Sequence, residues 1–344
     1  MYILTPFFNF INFIISINIS IVLIFFYFTN IAKEYIPPNY ICIMLLNKEI
    51  IPYIRDIQKN TILNMKAIKP LFMWAGGKNK MIKNYLAHMP EKVSEYSEPF
   101  FGGGAMYIYI QQNFAPEKCY INDTNEGIIE IYRSIKNNAE GFIEILKKYD
   151  KKYIALSKED RKKLYYEVRL EHAYDYQKWS KLEESAALYF LMKTGFNGLW
   201  QINQNTNNRY GTPSGILEQK ETCFDYDNIL EWNKLLQNTE IFCGDWKGCP
   251  YGDFTFFDPP YRDSFTKYGT GWGDKEFEEL IDLSRNKEGL VFICNRDDGT
   301  QWINDRSENY SIKTFPIVYT AGRRKKTDDG FKAKAAIEVL MIKK

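Results

Sequence analysis

The sequence contains few of the residues that serve as metal ligands or as histidine catalysts. Its 344 residues include only two histidines, His88 and His172, and none of its six cysteines belongs to a CxxC pair. These shortages argue against a zinc site and a histidine-dependent catalytic triad, so we predict no metal centre. Scattered cysteines in a chain of this length indicate reduced thiols, and we expect an intracellular, soluble protein of the cytoplasm or nucleoid.

The chain also lacks a strong net charge. Its 45 lysines and arginines balance 43 aspartates and glutamates, which leaves a net charge of +2. This balance excludes binding to nucleic acid by bulk charge, so a nucleic-acid-binding protein of this composition needs a local basic patch. The length predicts two domains, or one domain with a large insertion.

Glycine is absent from the start of the chain until Gly76. Isoleucine, asparagine, phenylalanine, tyrosine and lysine fill 40 of the first 64 positions, which is a low-complexity bias. We expect residues 1–64 to be a hydrophobic extension outside the functional chain, which would then begin near Met65. Residues 7–28 carry no charge and could span a bilayer, so a membrane anchor or a buried or disordered extension are the alternatives. No basic segment precedes them, as a signal peptide requires.

The remainder alternates between strand and helix patterns on both sides of a helical block. The alternation predicts an α/β fold with a parallel sheet, built from residues 65–135 and 236–344. Residues 136–235 between them show helical periodicity with charged outer faces. Within this block, residues 197–216 are polar, aromatic and rich in turn residues, which favours a functional arm.

The stretch EPFFGGGAMY, residues 98–107, reads as a strand, three glycines and a helix. Such a turn lets the backbone approach a ligand closely, and the helix N-terminus favours negative groups. About twenty residues later, Asp123 ends the next predicted strand, where a carboxylate can bind a ribose hydroxyl pair. Together these features indicate a nucleoside-containing cofactor.

A second glycine-containing stretch, WAGGKNK at residues 74–80, resembles half of a phosphate-binding loop. It lacks the leading glycine, and Asn79 stands where a magnesium-binding serine or threonine is needed, so a nucleoside triphosphate site is excluded. We predict that Lys78 neutralises a carboxylate or a phosphate near the glycine turn.

The stretch FFDPPY, residues 256–261, places a carboxylate and an aromatic ring directly after an apolar strand. The prolines fix the backbone, so that a peptide carbonyl points outward. Asp258 and that carbonyl can accept both N–H groups of an exocyclic amine, while Tyr261 can stack on the base that carries it. This arrangement suits an aromatic amine such as that of adenine.

In this linear order the motifs resemble those of the Dam-type DNA adenine N6-methyltransferases, from about Lys69 to Leu340. FMWAGGK is similar to the family's opening motif, EPFFGGGA to its cofactor glycine motif, INDTN to its ribose motif and FFDPPY to its catalytic motif. The resemblance implies a Rossmann-like methyltransferase sheet with an inserted helical target-recognition domain. It also implies transfer of a methyl group from S-adenosylmethionine to the N6 of a flipped adenine in duplex DNA.

The resemblance also implies roles for individual residues. The catalytic motif is Asp258, Pro259, Pro260 and Tyr261. The implied cofactor-binding residues are Trp74, Ala75, Gly76, Lys78, Pro99, Phe100, Gly102, Gly104, Asp123, Asp245 and Asp258.

The DNA-binding residues are predicted from the polar arm and from one basic run. Asn207 and Arg209 in the arm are candidates for base-edge contacts, although the arm matches the family's pattern poorly and its target sequence stays open. The run AGRRKK supplies Arg323, Arg324, Lys325 and Lys326 as candidates for phosphate contacts.

Double-stranded DNA is therefore the expected partner, together with a cognate restriction endonuclease if the enzyme serves a restriction system. A membrane is a partner only if residues 7–28 are an anchor. The alternatives to an adenine methyltransferase are a non-catalytic DNA-binding relative, or an enzyme that methylates cytosine N4, RNA adenine or a protein glutamine. The aspartate at position 258 favours adenine, since the resemblance implies serine there for cytosine N4 enzymes and asparagine for glutamine enzymes.

Overall fold

The structure is a computed structural model, and a seven-stranded sheet forms its centre. It describes residues 68–215, 221–262, 272–319, 325–327, 330–332 and 334–344. The strands in chain order are β1 (Glu95–Glu98), β2 (Lys118–Asp123), β3 (Ile202–Asn203), β4 (Arg209–Tyr210), β5 (Thr239–Cys243), β6 (Phe254–Phe257), β7 (Leu290–Arg296), β8 (Ser311–Tyr319), β9 (Lys325–Thr327), β10 (Gly330–Lys332) and β11 (Lys334–Lys343).

The main sheet has the order β5-β2-β1-β6-β7-β11-β8. Its first five strands are parallel, and β11 runs antiparallel between β7 and β8. The chain leaves β1 toward β2 on one side, whereas β6 lies on the other side. Open α/β sheets bind ligands at such a reversal, outside the carboxyl ends of the strands. The order confirms the predicted Rossmann-like sheet and directs attention to the ends of β1 and β6.

Eight α-helices accompany the strands within the described ranges. They are α1 (Ile82–Tyr85), α2 (Ala105–Phe114), α3 (Glu126–Ile154), α4 (Lys158–Tyr174), α5 (Lys181–Thr194), α6 (Tyr226–Leu235), α7 (Asp274–Arg285) and α8 (Trp302–Arg306). Polar side chains cap the N-termini of the longer helices: Asn125 caps α3, Ser157 caps α4, and Ser180 forms a capping box with Glu183 on α5.

The two faces of the sheet pack against separate sets of side chains. In β6, Phe254 and Phe256 lie on one face with Tyr85, whereas Phe257 lies on the other face with Phe277 of α7. This alternation follows from the two-residue repeat of a strand, and near-continuous apolar strands are what a sheet covered on both faces requires.

The helical block predicted for residues 136–235 contains most of α3, all of α4 and α5, and the hairpin of β3 and β4. Its predicted start falls within α3, shortly before Asn138, where the helix is broken at φ −155° and ψ 68°. Helix α6 also belongs to this range, yet it packs against α2 of the catalytic part: Trp232 stacks on Tyr107 of that helix with ring centroids 5.7 Å apart.

Within the described residues, no helix is long and apolar enough to cross a membrane. The predictions for residues 1–64, including the anchor considered at residues 7–28, lie outside the described residues.

Candidate active site

Four side chains form a row at the carboxyl edge of the sheet, on one face. Glu98 ends β1, Asp258 follows β6, Cys294 lies in β7 and Glu338 lies in β11. Successive side chains of a strand point to opposite faces of a sheet. The pairing of β1 with β6, of β6 with β7 and of β7 with β11 puts these four side chains on the same face. We call this set, together with Lys78, the edge cluster.

Lys78 covers the other four side chains of the edge cluster from a short 3-10 helix, Lys78–Lys80, that precedes α1. Its Nζ donates hydrogen bonds to Asp258 Oδ1 over 2.5 Å and to the Gly76 carbonyl over 3.0 Å. The Lys78 side chain is 3% exposed and the Asp258 side chain is 20% exposed. A buried ammonium is stable only when it is paired, so the predicted neutralisation of a carboxylate by Lys78 is present as this ion pair.

The charges of the edge cluster shift one another's pKa values. Burial raises the pKa of Asp258 to about 6, against the opposing effect of the Lys78 charge. Burial lowers the pKa of Lys78, but the charges of Asp258 and Glu338 outweigh it, so the net shift is upward. Burial also raises the pKa of Glu98, whose carboxyl accepts a hydrogen bond from the Tyr96 hydroxyl over 2.8 Å.

Tyr261 is held on two sides by the edge cluster. Its hydroxyl donates to Glu338, with distances of 2.7 Å to Oε1 and 2.8 Å to Oε2. The Lys78 Nζ lies 5.0 Å from the centroid of the Tyr261 ring, within the range of a cation–π contact. Pro259 is buried and Pro260 is half-buried, so the motif's backbone leaves the sheet edge directly beside the ion pair.

Arg262 fixes the chain immediately after this motif. Its guanidinium forms ion pairs with Asp274 at the start of α7 and, over 2.8 Å, with Asp298 after β7. It also lies over the Trp302 ring, 3.8 Å from the centroid. These contacts fix the motif's carboxyl-terminal side independently of the edge cluster.

The predicted glycine turn lies between β1 and α2. Gly102 has a φ of +50° and Gly104 a φ of +65°, a region that suits glycine. Asp123 stabilises the turn, since its Oδ2 accepts the Gly102 N–H over 2.9 Å and its Oδ1 accepts the Asn125 N–H over 2.9 Å. Burial raises the pKa of Asp123. Each carboxylate oxygen keeps a lone pair for a further donor.

Trp74 lies directly on the glycine turn. A Cβ added at Gly102 would come within 2.5 Å of the Trp74 indole, so any side chain at position 102 displaces this tryptophan. Ala75 and Gly76 follow as an exposed loop, with Gly76 at a φ of +80°. The opening motif and the glycine motif, far apart in sequence, therefore meet at this place.

The remaining predicted cofactor residues lie along the ends of β1 and β5. The Pro99 carbonyl accepts from Asn122 Nδ2 over 3.0 Å, and Phe100 stacks on Trp246 with centroids 6.0 Å apart. Asp245 is exposed, and its Oδ1 accepts the Lys247 N–H over 3.0 Å. Asn122 also donates to the Gly244 carbonyl over 3.1 Å, so one buried amide ties the two strand ends together.

Comparison with known proteins gives a concordant result. The family model for "D12 class N6 adenine-specific DNA methyltransferase" matches residues 74–313. This chain belongs to the D12 class N6 adenine-specific DNA methyltransferases. The Type II methyltransferase M.MjaIII of Methanocaldococcus jannaschii is 30% identical over 72% of this chain and 90% of its own length. Type II methyltransferase M1.LlaDCHI of Lactococcus lactis is 32% identical over 78% and 93%, and the DNA adenine methylase of Haemophilus influenzae is 27% identical over 67% and 80%.

In the arm of this D12 class methyltransferase, the two predicted base-contacting residues differ in environment. Asn207 is exposed at a turn with a φ of 52°. Arg209 is 24% exposed and forms an ion pair with Glu184. Its guanidinium also lies 3.7 Å from the Tyr176 ring centroid and 3.3 Å from His172 Nε2. These contacts hold Arg209 against α4 and α5, so its base contact stays a prediction that requires the side chain to leave them.

The position of His172 beside Arg209 leads us to expect that the stability of the fold decreases at acid pH. Burial and the Arg209 charge lower the pKa of His172 to about 3. The native state therefore keeps the ring neutral while the unfolded state takes up a proton below about pH 6.5, so stability falls as the pH falls. Between pH 7 and pH 5 we expect His172→Gln to lose about 2 kcal/mol less unfolding free energy than the wild type.

Urea unfolding at the two pH values measures this difference. His88→Gln is the matched control, because His88 is the other histidine of the chain and lies at a half-exposed position. The prediction is wrong if His172→Gln and His88→Gln lose equal stability on acidification.

The basic run of the methyltransferase is covered only in part. Arg323 and Arg324 lie outside the described residues, whereas Lys325 and Lys326 belong to β9, which pairs with β10 as an antiparallel hairpin. Their contact with phosphate stays a prediction.

The sequence reasoning missed Glu98, Asn122 and Glu338 as members of the site. A signal for Glu338 was available, because a lone glutamate in the apolar run AAIEVLMI is expensive to bury without a purpose. Glu98 and Asn122 lie within the quoted motifs EPFFGGGA and INDTN, which marked them as candidates too.

Proposed function

We propose that this chain methylates the exocyclic N6 of adenine in duplex DNA, using S-adenosylmethionine as the methyl donor. The observation that carries the proposal is the ion pair of Asp258 with Lys78, set at the sheet edge next to the glycine turn. Membership of the family supports adenine over cytosine as the target. The use of S-adenosylmethionine, the flipping of the base and the roles of single residues go beyond family membership and belong to the proposal.

The residues at the sheet edge fit this cofactor. Gly104 has no side chain to cap α2, and the Glu98 carboxyl accepts the Tyr107 N–H of the first turn, so the N–H groups before Tyr107 suit an anionic group such as a carboxylate. Asp123 presents a half-buried carboxylate beside the same turn, which suits hydroxyl donors. Trp74, Pro99 and Phe100 supply apolar surface around this turn, and Ala75 and Gly76 form an exposed loop. When bound, S-adenosylmethionine supplies an electrophilic methyl group on a positively charged sulfur.

Asp258 and the Pro259 carbonyl then grip the amine of the target base. Asp258 Oδ1 accepts from Lys78, which leaves Oδ2 to accept one N–H of the amine. The Pro259 carbonyl accepts the other N–H. Two acceptors favour a more tetrahedral nitrogen, whose lone pair is otherwise delocalised into the ring, and they fix its direction.

Lys78 and Tyr261 complete the site. The Lys78 charge opposes the effect of burial on Asp258 and so favours its ionised, accepting form. Tyr261 stacks on the extruded base, which offsets part of the few kcal/mol needed to unstack it from the duplex. We assign DNA contact to the arm, with Asn207 and Arg209, and to the basic run Arg323, Arg324, Lys325 and Lys326. A cognate endonuclease is a further proposed partner.

Nucleoside analysis tests the proposal. The purified protein is incubated with labelled S-adenosylmethionine and either duplex DNA, single-stranded RNA or no nucleic acid, and the product is digested to nucleosides. We expect N6-methyladenine from duplex DNA alone. N4-methylcytosine, label in RNA, or no transfer by a protein that still binds DNA each contradicts the proposal, and the last result would identify a non-catalytic relative.

A further inference from the structure

Glu338 is a buried acid in a central strand, and the function proposed above assigns it no role of its own. It is 2% exposed and lies in β11, which is paired on both sides by β7 and β8. Leu340 and Ile342, at the same parity of the strand, belong to the hydrophobic core. An acid at a position made for an apolar residue destabilises a fold unless it is hydrogen-bonded.

The contacts of Glu338 point to the catalytic motif. Both carboxyl oxygens lie at hydrogen-bond distance from one hydroxyl, that of Tyr261, at 2.7 Å and 2.8 Å. A tyrosine ring can swing about two side-chain torsions, and a hydrogen bond to its far end removes most of that freedom. The Lys78 ammonium is 5.0 Å from the centroid of the same ring, so the phenol is held at its tip and beside its ring.

We propose that Glu338 is a positioning residue, which holds Tyr261 by its hydroxyl so that the ring presents a fixed surface to the extruded adenine. This inference rests on the proposed function. Glu338 does not touch the base; its effect passes through the orientation of the Tyr261 ring. The antiparallel strand β11 thereby supplies the active site with a side chain that none of the four sequence motifs contains.

Two substitutions separate the hydrogen bond from the buried charge. Glu338→Gln keeps an acceptor oxygen for the Tyr261 hydroxyl and removes the charge, whereas Glu338→Met removes both at similar volume. Neither leaves an unpaired buried charge at 338, which favours folding of both variants. Glu240→Gln on edge strand β5 is the control, since this glutamate pairs with Lys118 at an exposed position.

We expect Glu338→Met to lower kcat on the order of 10- to 100-fold, with little change in the Kd for DNA, because the ring is misplaced rather than removed. Glu338→Gln should restore most of the rate. The fluorescence of 2-aminopurine at the target position should show that the Met variant still extrudes the base. Stacking should quench this fluorescence less in the Met variant than in the wild type. The double variant Tyr261→Phe with Glu338→Met should be no slower than the slower single variant, because both remove the same bond.

Equal rates for the Gln and Met variants would overturn the inference, since they would assign the effect to charge or packing. Multiplying losses in the double variant, or a loss of kcat that only follows the folded fraction seen by circular dichroism, would overturn it as well. The wild-type product is identified in the same assay. A wild type that forms no N6-methyladenine contradicts the proposed function, whereas equal transfer by wild type and Glu338→Met contradicts the role of Glu338 alone.

Discussion

Replacing Asp258 by alanine is expected to lower methyl transfer by on the order of 10³-fold or more, while the variant still binds DNA and S-adenosylmethionine. The substitution removes the charged acceptor that we propose for the target amine. It leaves Lys78 buried without its anion, so some loss of stability accompanies the loss of activity. Single-turnover transfer of labelled methyl groups to DNA measures the effect at the chemical step.

Two variants control this experiment. Asp258→Asn keeps the shape and one acceptor oxygen but not the charge, so its transfer rate should fall between those of the wild type and Asp258→Ala. Asp282→Ala on α7 removes an acid from an exposed ion pair with Arg285, and it should transfer at the wild-type rate. If Asp258→Ala retained substantial turnover, the carboxylate would not be the group that grips the amine.

Much of the sheet could be predicted because its strands are short, apolar and interrupted by turn residues. The strands predicted before the glycine turn, up to Asp123 and before Asp258 are observed as β1, β2 and β6. β8 was missed, since SIKTFPIVY contains a proline and alternates without a clear apolar face. Its place at the sheet edge explains why such a strand is tolerated.

The site was predictable where chemistry follows local sequence, and it was not predictable where chemistry depends on pairing between distant strands. Asp258 and the glycine turn can each be recognised from a sequence stretch of at most ten residues. The bond between Tyr261 and Glu338 joins residues 77 positions apart. It depends on β11 entering between β7 and β8, and no local pattern of residues 335–344 encodes that register.

Replacing Lys78 by methionine is expected to move the acid limb of the pH–rate profile to higher pH. With Lys78 present, the pKa of Asp258 is about 6, so the wild-type rate should fall as the pH drops below about 6 and protonates the acceptor. Burial and the Glu338 charge both raise this pKa, and the Lys78 charge lowers it. Without the cation the pKa rises, the carboxyl is protonated at neutral pH, and transfer at pH 7 should fall on the order of tenfold or more.

Raising the pH should then rescue Lys78→Met, because it restores the ionised carboxylate that the missing cation no longer favours. Single-turnover rates measured from about pH 5.5 to about pH 9 define the acid limb of the wild type and that of the variant. Lys83→Met is the matched control, as Lys83 is an exposed lysine of α1. A variant whose rate is low at every pH would assign Lys78 to binding or folding. A variant with an unmoved acid limb would show that the ionisation of Asp258 does not limit transfer, and the ion pair would then be a packing contact rather than part of the chemistry.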